Sequence, residues 1–209
     1  MKQSIVLLLT LVLLQCQPAN ADTILAQAKH YRSLLVRTSH AVWGLDAPIA
    51  TFAAQVHQES RWHAQALSPA GAEGLAQFMP ATAGWMAEIY PAALADPQPY
   101  NPGWALRAMV HYNKWLYARN QAHCPCEKWA MVLSAYNGGQ GWVNRDRRLA
   151  LASGASGLAW FNEIERFNAG RSQANFKENR HYPRIILSRW EPLYESNLWG
   201  RGVCKRFRF

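Results

Sequence analysis

Apolar positions along this chain recur at intervals of three and four residues, the period of a helix with one buried face. Ile49, Phe52, Ala53 and Val56 follow the rule, with Asp46 as a candidate cap and Pro48 suited to the first turn. Three residues further on, the same stripe reaches Glu59. The pattern therefore predicts an acid on the buried side of a helix, at its end. A helix from Asp22 to about Val42 precedes it, and Pro80 opens another to about Tyr90. Asn101-Pro102 is a cap and first-turn pair for a long helix to about Arg119. There Leu106, Met109, Val110, Asn113 and Leu116 share a face that Tyr112 and Trp115 flank. From Glu127, Trp129, Val132, Leu133 and Tyr136 repeat the spacing until Asn137-Gly138-Gly139 breaks it. A short basic helix from Trp142 to about Leu149 and a helix from Leu158 to Phe167 follow. The last long helix, about Phe176 to Tyr194, carries Tyr182, Ile185, Ile186, Arg189, Trp190 and Leu193 on one side. The Pro- and Asp-rich stretch 91–102, the small residues Leu151 to Gly157 and the polar stretch Asn168 to Asn175 read as links. No alternating strand pattern and no repeat occurs, so the expected fold class is mainly α.

Residues 1–21 interrupt this pattern. Lys2, the apolar run Ile5 to Leu14 and Ala19-Asn20-Ala21 read as a secretory signal with its cleavage site. The run is about ten residues, against roughly 20 for a membrane span. A retained N-terminal anchor and a lipoprotein modified at Cys16 are the alternatives, although Gln15 puts a bulky amide before that cysteine. An exported, periplasmic protein is expected. The remaining residues, about 190, suit a single core. They divide into an N-terminal helix (22–44), a main domain (45–194) and a basic C-terminal tail (195–209), whose basic, aromatic end from Arg201 to Phe209 reads as a frayed terminus, with contact to lipid or glycan the alternative.

The formal charge of +9 falls to +8 if Lys2 leaves with the signal. Nucleic acid, anionic lipid and the carboxylates of cell-wall peptides all suit a basic protein. Export and the absence of a phosphate-binding motif count against nucleic acid. Ten Trp serve cores and sugar-stacking clefts equally well, with core the ordinary role. Past the signal, Cys124, Cys126 and Cys204 remain. In an oxidising compartment a disulfide from Cys204 to Cys124 or Cys126 is expected, leaving one thiol over. His123-Cys124-Pro125-Cys126 lacks a recognised zinc spacing, so no metal or cofactor is expected.

Glu59 is the residue most suited to chemistry. Helical glutamates are ordinarily surface residues. Burial would raise its pKa by disfavouring the charge. At pH 7 about one carboxyl in 500 is protonated with a pKa near 4.3, and about a quarter with one near 6.5. Such an acid can protonate a glycosidic oxygen, a poor leaving group otherwise.

The motifs around it, Glu59-Ser60, Trp62, Ser68-Pro69, Gly71-Ala72, Gly74-Leu75, Gln77 and Met79-Pro80-Ala81-Thr82, resemble those of the soluble lytic transglycosylases. The family's fold is like goose-type lysozyme. Ala135-Tyr136-Asn137-Gly138-Gly139 and Glu178-Asn179-Arg180-His181-Tyr182 resemble its second and third motifs, in the right order, across residues 45–190. Three departures stand out: Gly138 where Ala is usual, Pro183 where a β-branched residue is usual, and Ala76 where a larger residue is common. The resemblance implies that Glu59 is the catalytic acid/base and that Ser68, Gln77 and Met79 line the sugar site. It adds Tyr136, Asn137 and Tyr182 as substrate-side residues and Glu178 in support. Gly71 and Gly74 also have a plainer use, in permitting a tight turn.

Glycosidases commonly use two carboxylates. Glu73, Glu88 and Asp96 continue no buried stripe and read as solvated. The resemblance implies instead that Glu59 acts alone, cleaving peptidoglycan between MurNAc and GlcNAc to leave a 1,6-anhydro end. Alternatives are a muramidase of the same fold that uses water, and a non-catalytic glycan-binding scaffold. Peptidoglycan strands are the expected partner of a monomer, with a wall-crossing secretion, conjugation or phage apparatus compatible with the resemblance.

Overall fold

Helix α2 (Ile49–Ser60) is enclosed by the rest of the chain. In this computed structural model residues 21–204 are described, so the signal reading, Cys16 and residues 205–209 lie outside them. The stripe on α2 turns out to be more than one face. Ala50, Phe52, Ala53, Ala54 and Val56 are all buried, as are Thr51, Gln55 and His57. Small side chains let neighbours approach from every side. These are α1 (Ala21–Trp43), a π turn (Ile186–Trp190) and α9 (Glu191–Ser196).

Around this axis run α3 (Pro80–Ile89), α4 (Pro91–Leu94), α5 (Pro102–Arg119), α6 (Pro125–Gly138), α7 (Gln140–Ala152) and α8 (Gln173–Ile185). Helix α1 packs on α5, α5 on α6, and α6 on both α7 and α8. The predicted face of α5 is buried without exception, and Asn101 Oδ1 accepts from the backbone N–H of Gly103 and Trp104. Among the described residues the only extended pairing is two isolated bridges, Leu67 with Glu73 and Glu73 with Phe78. The mainly α expectation therefore holds.

Several details differ from expectation. Asp46 does not cap α2. Pro48 occupies the cap position, and the free Ala50 N–H donates to the Arg201 carbonyl at 3.2 Å. The tail up to Cys204 is consequently not frayed. Trp199 is buried, Cys204 bonds to Cys126, and buried Glu191 accepts from Thr51 Oγ1 at 2.6 Å and from the Cys204 N–H at 3.0 Å. Cys124 is the leftover thiol, and with Cys126 in the disulfide the metal alternative falls. The stretch 91–102 contains the short α4, and α7 is longer than its basic core suggests.

Residues 158–167 form no α-helix, only a 3-10 turn at Ile164–Arg166. Carboxylates take the N–H groups that a helix would use. Glu127 accepts from Trp160 and Phe161, and Glu165 from Asn162. The last predicted helix is split by the π turn between Pro183 and Pro192. Proline lacks an N–H and its ring presses on the carbonyl four residues back, so a wider turn before Pro192 relieves the clash. The extra residue moves the buried positions from Trp190 and Leu193 to Glu191 and Tyr194.

Candidate active site

Helix α2 ends abruptly one residue past Glu59. Arg61 and Trp62 are both left-handed, at φ 49° and 67°. Such a pair is costly for non-glycine residues and persists only when its surroundings enforce it. Trp62 is fully buried and its Nε1 donates to Tyr194 Oη at 2.6 Å, an oxygen that also meets His57 Nδ1 at 2.9 Å. Burial, with Arg61 and Arg189 nearby, lowers the His57 pKa to about 4 and keeps it neutral. Ser60 Oγ donates to the Leu75 carbonyl at 2.8 Å, tying the end of α2 to the loop that follows. The motif spacing thus fixes where Glu59 emerges.

That loop is the floor of a groove. Ser68 Oγ accepts from the Ala72 N–H, and Glu73 and Phe78 exchange backbone hydrogen bonds. Gly74, at φ 73°, lies against the Pro99 carbonyl, where a Cβ would sit 1.8 Å from the oxygen. Gln77 is left-handed at φ 48°, and its Nε2 donates to the Gly74 carbonyl at 2.9 Å, leaving Oε1 for the groove. Met79, 43% exposed, stands at the edge just before α3.

The opposite wall comes from α6 and α8. Tyr136 Oη donates to the Ala76 carbonyl at 2.8 Å, so α6 also holds the floor. Tyr182 Oη donates to Glu59 Oε1. Asn137 Nδ2 donates to Glu178 Oε1 at 3.3 Å. Asn179, buried, accepts from Ser134 Oγ and donates to the Ser134 carbonyl and to Asn137 Oδ1. A Cβ at Gly138 would lie 2.6 Å from Asn179 Nδ2, which accounts for glycine there. Beneath α8, Asp146 pairs with Arg171 and Arg180, all buried.

The groove encloses about 510 Å³ and brings together Glu59, Ser68, Gln77, Met79, Tyr136, Asn137, Glu178 and Tyr182. Tyr112, His181 and Thr82 also face it, although the sequence reading gives none of them a role in the site. Tyr112 was legible only as a residue flanking a core face. Gln55, taken up in the core of α2, accepts from Asn113 Nδ2 at 2.6 Å behind the Tyr182 hydroxyl. No Trp lines the groove. Glu88 and Asp96 are exposed, whereas Glu73 is half-buried and hydrogen-bonded to Tyr100.

Electrostatics single out one group. Glu59 is half-buried, and its carboxyl is pushed up to about 8, chiefly by desolvation. The Tyr182 hydrogen bond opposes this and the Glu178 charge adds to it. Burial and the Glu59 charge hold both Tyr136 and Tyr182 well above the usual phenol range, so both are hydroxyl donors at neutral pH. A carboxyl with a pKa of about 8 is protonated in roughly nine of ten molecules at pH 7.

The profile of the Transglycosylase SLT domain matches residues 41–158, more than half of the chain, including Glu59, the floor loop and Tyr136. No curated relative matches the chain. Among solved structures it is similar to the 70 kDa soluble lytic transglycosylase from Escherichia coli, at 23% identity and a TM-score of 0.56 over 82% of this chain and 25% of that one. A 70 kDa soluble lytic transglycosylase in complex with bulgecin A matches at 21% identity, TM-score 0.60, over 88% and 27%. An inactive glutamate-to-glutamine variant of the lytic transglycosylase Slt from Pseudomonas aeruginosa matches at 21% identity, TM-score 0.59, over 87% and 31%. These matches cover about a quarter to a third of those longer structures, and at such identities they establish the shared lysozyme-like helical fold. The profile match carries the conclusion further: the chain belongs to the transglycosylase SLT domain family.

Proposed function

We propose that this protein is a peptidoglycan lytic transglycosylase that cleaves the β-1,4 bond between MurNAc and GlcNAc, with Glu59 as its single acid/base. The observation that carries the reading is the placement of the Glu59 carboxyl, half-buried in a groove and held by Tyr182, where desolvation pushes its pKa up to about 8. In the first step Glu59 gives its proton to the glycosidic oxygen as the C1–O bond breaks, with the N-acetyl group of the muramic acid assisting at C1. The carboxylate so formed takes the proton of that sugar's C6 hydroxyl. O6 then closes on C1, yielding the 1,6-anhydro end and returning Glu59 to its protonated state without water. Tyr182 orients the carboxyl, Tyr136 steadies the floor beneath it, and Ser68, Gln77, Met79 and Asn137 face the sugars. Glu178 supports this wall through Asn137.

A second reading has one observation in its favour. Glu178 puts another carboxylate in the same groove, as a muramidase activating water would require. Mass spectrometry of muropeptides released from purified sacculi separates the readings. Anhydro ends, one water lighter, are expected. Hydrated ends would assign the muramidase, and no release would leave a glycan-binding scaffold. The Cys126–Cys204 disulfide supports action outside the reducing cytoplasm, in the periplasm.

A further inference from the structure

A second depression, of about 730 Å³, lies between α1 and α5. Its walls carry Arg37 from α1 and Arg107, Lys114 and Arg119 from α5 and, among the described residues, no carboxylate. Tyr90, His111 and Trp115 supply ring surfaces, His111 being held toward its neutral form by burial and by Lys114 and Arg107, and the rest of the lining is Thr38 with small apolar side chains. Lys114 donates to the Val42 carbonyl, and Arg119 lies 3.5 Å from the centre of the Trp115 ring. Arg37 and Arg107 are exposed and have no hydrogen-bond or ion-pair partner among the described residues. One solvated arginine is ordinary at a surface. Four cations gathered around a concave apolar floor create a positive potential that an anion would neutralise.

This depression is connected to the Glu59 groove by aromatic rings. Tyr136 and Tyr112, both in the groove, have centroids 5.2 Å apart. Tyr112 is 6.1 Å from Trp115 of the depression, one turn along α5. Trp85, half-buried on α3, meets both edge-on, at 5.9 Å and 5.0 Å. These packed rings form a shared wall, with the sugar groove on one side and the cationic depression on the other.

We propose that the depression receives the carboxylate-bearing peptide stem of a peptidoglycan strand lying in the groove, which rests on the transglycosylase reading above. An extended stem covers roughly 3.3–3.6 Å per residue, so four or five residues reach on the order of 15 Å. That reach is longer than either ring-to-ring step across the wall, 5.2 Å from Tyr136 to Tyr112 and 6.1 Å from Tyr112 to Trp115. The stem's carboxylates suit arginine forks, and its small apolar side chains suit the floor. An acidic segment of a protein partner would match the charge but not the continuity with the groove.

The test uses the full chain carrying Glu59→Gln, so that glycan stays uncut. Isotope-labelled protein is titrated with free stem tetrapeptide and, separately, with peptide-free glycan oligomers, and the indole N–H signals of Trp115 and Trp85 are followed. The stem is expected to shift both signals. Combined Arg37→Glu and Arg107→Glu should weaken it about tenfold or more. The two lysine replacements should retain binding, and the two alanine replacements should weaken it without reversing charge. Affinity for peptide-free glycan should stay the same throughout. No shift at millimolar stem, or an unchanged affinity after charge reversal, overturns the proposal. Equally tight binding of an unrelated acidic peptide also overturns it and assigns the depression to a protein partner. Failure of the transglycosylase reading itself would show separately, as hydrated ends or no release when the chain with Glu59 intact is given purified sacculi.

Discussion

Tyr182, on α8, donates its hydroxyl to the carboxyl Oε1 of Glu59, at the end of α2, across 123 positions of sequence. The bond has two effects. It fixes the direction of the acid, and it stabilises the charged form, opposing the desolvation that raises the pKa. Tyr182→Phe should therefore move the alkaline limb of kcat/KM upward, beyond the value of about 8 set by Glu59. The same change should lower kcat roughly 10–100-fold through lost positioning. A pH–rate profile of both proteins checks this, and a limb that moves downward would contradict it.

The raised pKa also makes stability depend on pH. The folded carboxyl titrates at about 8 and the unfolded one near 4.5, so between these values the folded state holds a proton that the unfolded state releases. The contribution is fully present below about pH 4.5 and is lost as pH rises through about 8. Glu59→Gln removes the ionisation. The variant should be more stable than the parent at pH 9, by on the order of a few kcal/mol, with the difference vanishing at pH 4. Urea unfolding at the two pH values measures it.

The floor loop offers a backbone test. Gly74→Ala introduces a Cβ against the Pro99 carbonyl at φ 73°, and backbone cannot swing aside as a side chain can. A loss of about 3 kcal/mol or more is expected, with activity falling alongside as Ser68 and Gln77 move. Gly71→Ala, at φ 86° but with open space around the added atom, should cost only about 1 kcal/mol. Thermal unfolding ranks the two.

Much of this was legible in the sequence, for reasons that can be named. Helix α5 has its cap residue, its first-turn proline and an unbroken apolar face, all local signals that agree. The buried end of α2 could be read because Glu59 continues an apolar stripe. Residues 158–167 misled because Leu158, Phe161 and Ile164 have helical spacing, while the groups that unmake the helix include Glu127, far away in sequence. The π turn had a visible signal in Pro183 and Pro192, but their joint effect on register depends on what α2 packs against. Tyr112 was hidden by resembling core, and Gln55 because a polar residue off the apolar stripe of α2 gives no sign that it is buried. Asp146 was hidden inside a segment that reads simply as basic, though it holds two buried arginines beneath α8.

The tail makes a further prediction. The Cys126–Cys204 bond closes a 78-residue separation and keeps the Arg201 carbonyl on the free N–H of Ala50. Cys204→Ser should cost about 2–4 kcal/mol and loosen the start of α2, whereas Cys124→Ser should be nearly neutral. Hydrogen exchange at Ala50 with unfolding curves for both variants decides it.

The central claim is that Glu59 is uncharged at neutral pH in the folded chain. Carbon-13 NMR titration of its carboxyl, assigned by comparison with Glu59→Gln, tests this most directly. A midpoint near 8 is expected; a midpoint near the ordinary 4.3 would mean that Glu59 is charged at neutral pH and cannot serve as the acid.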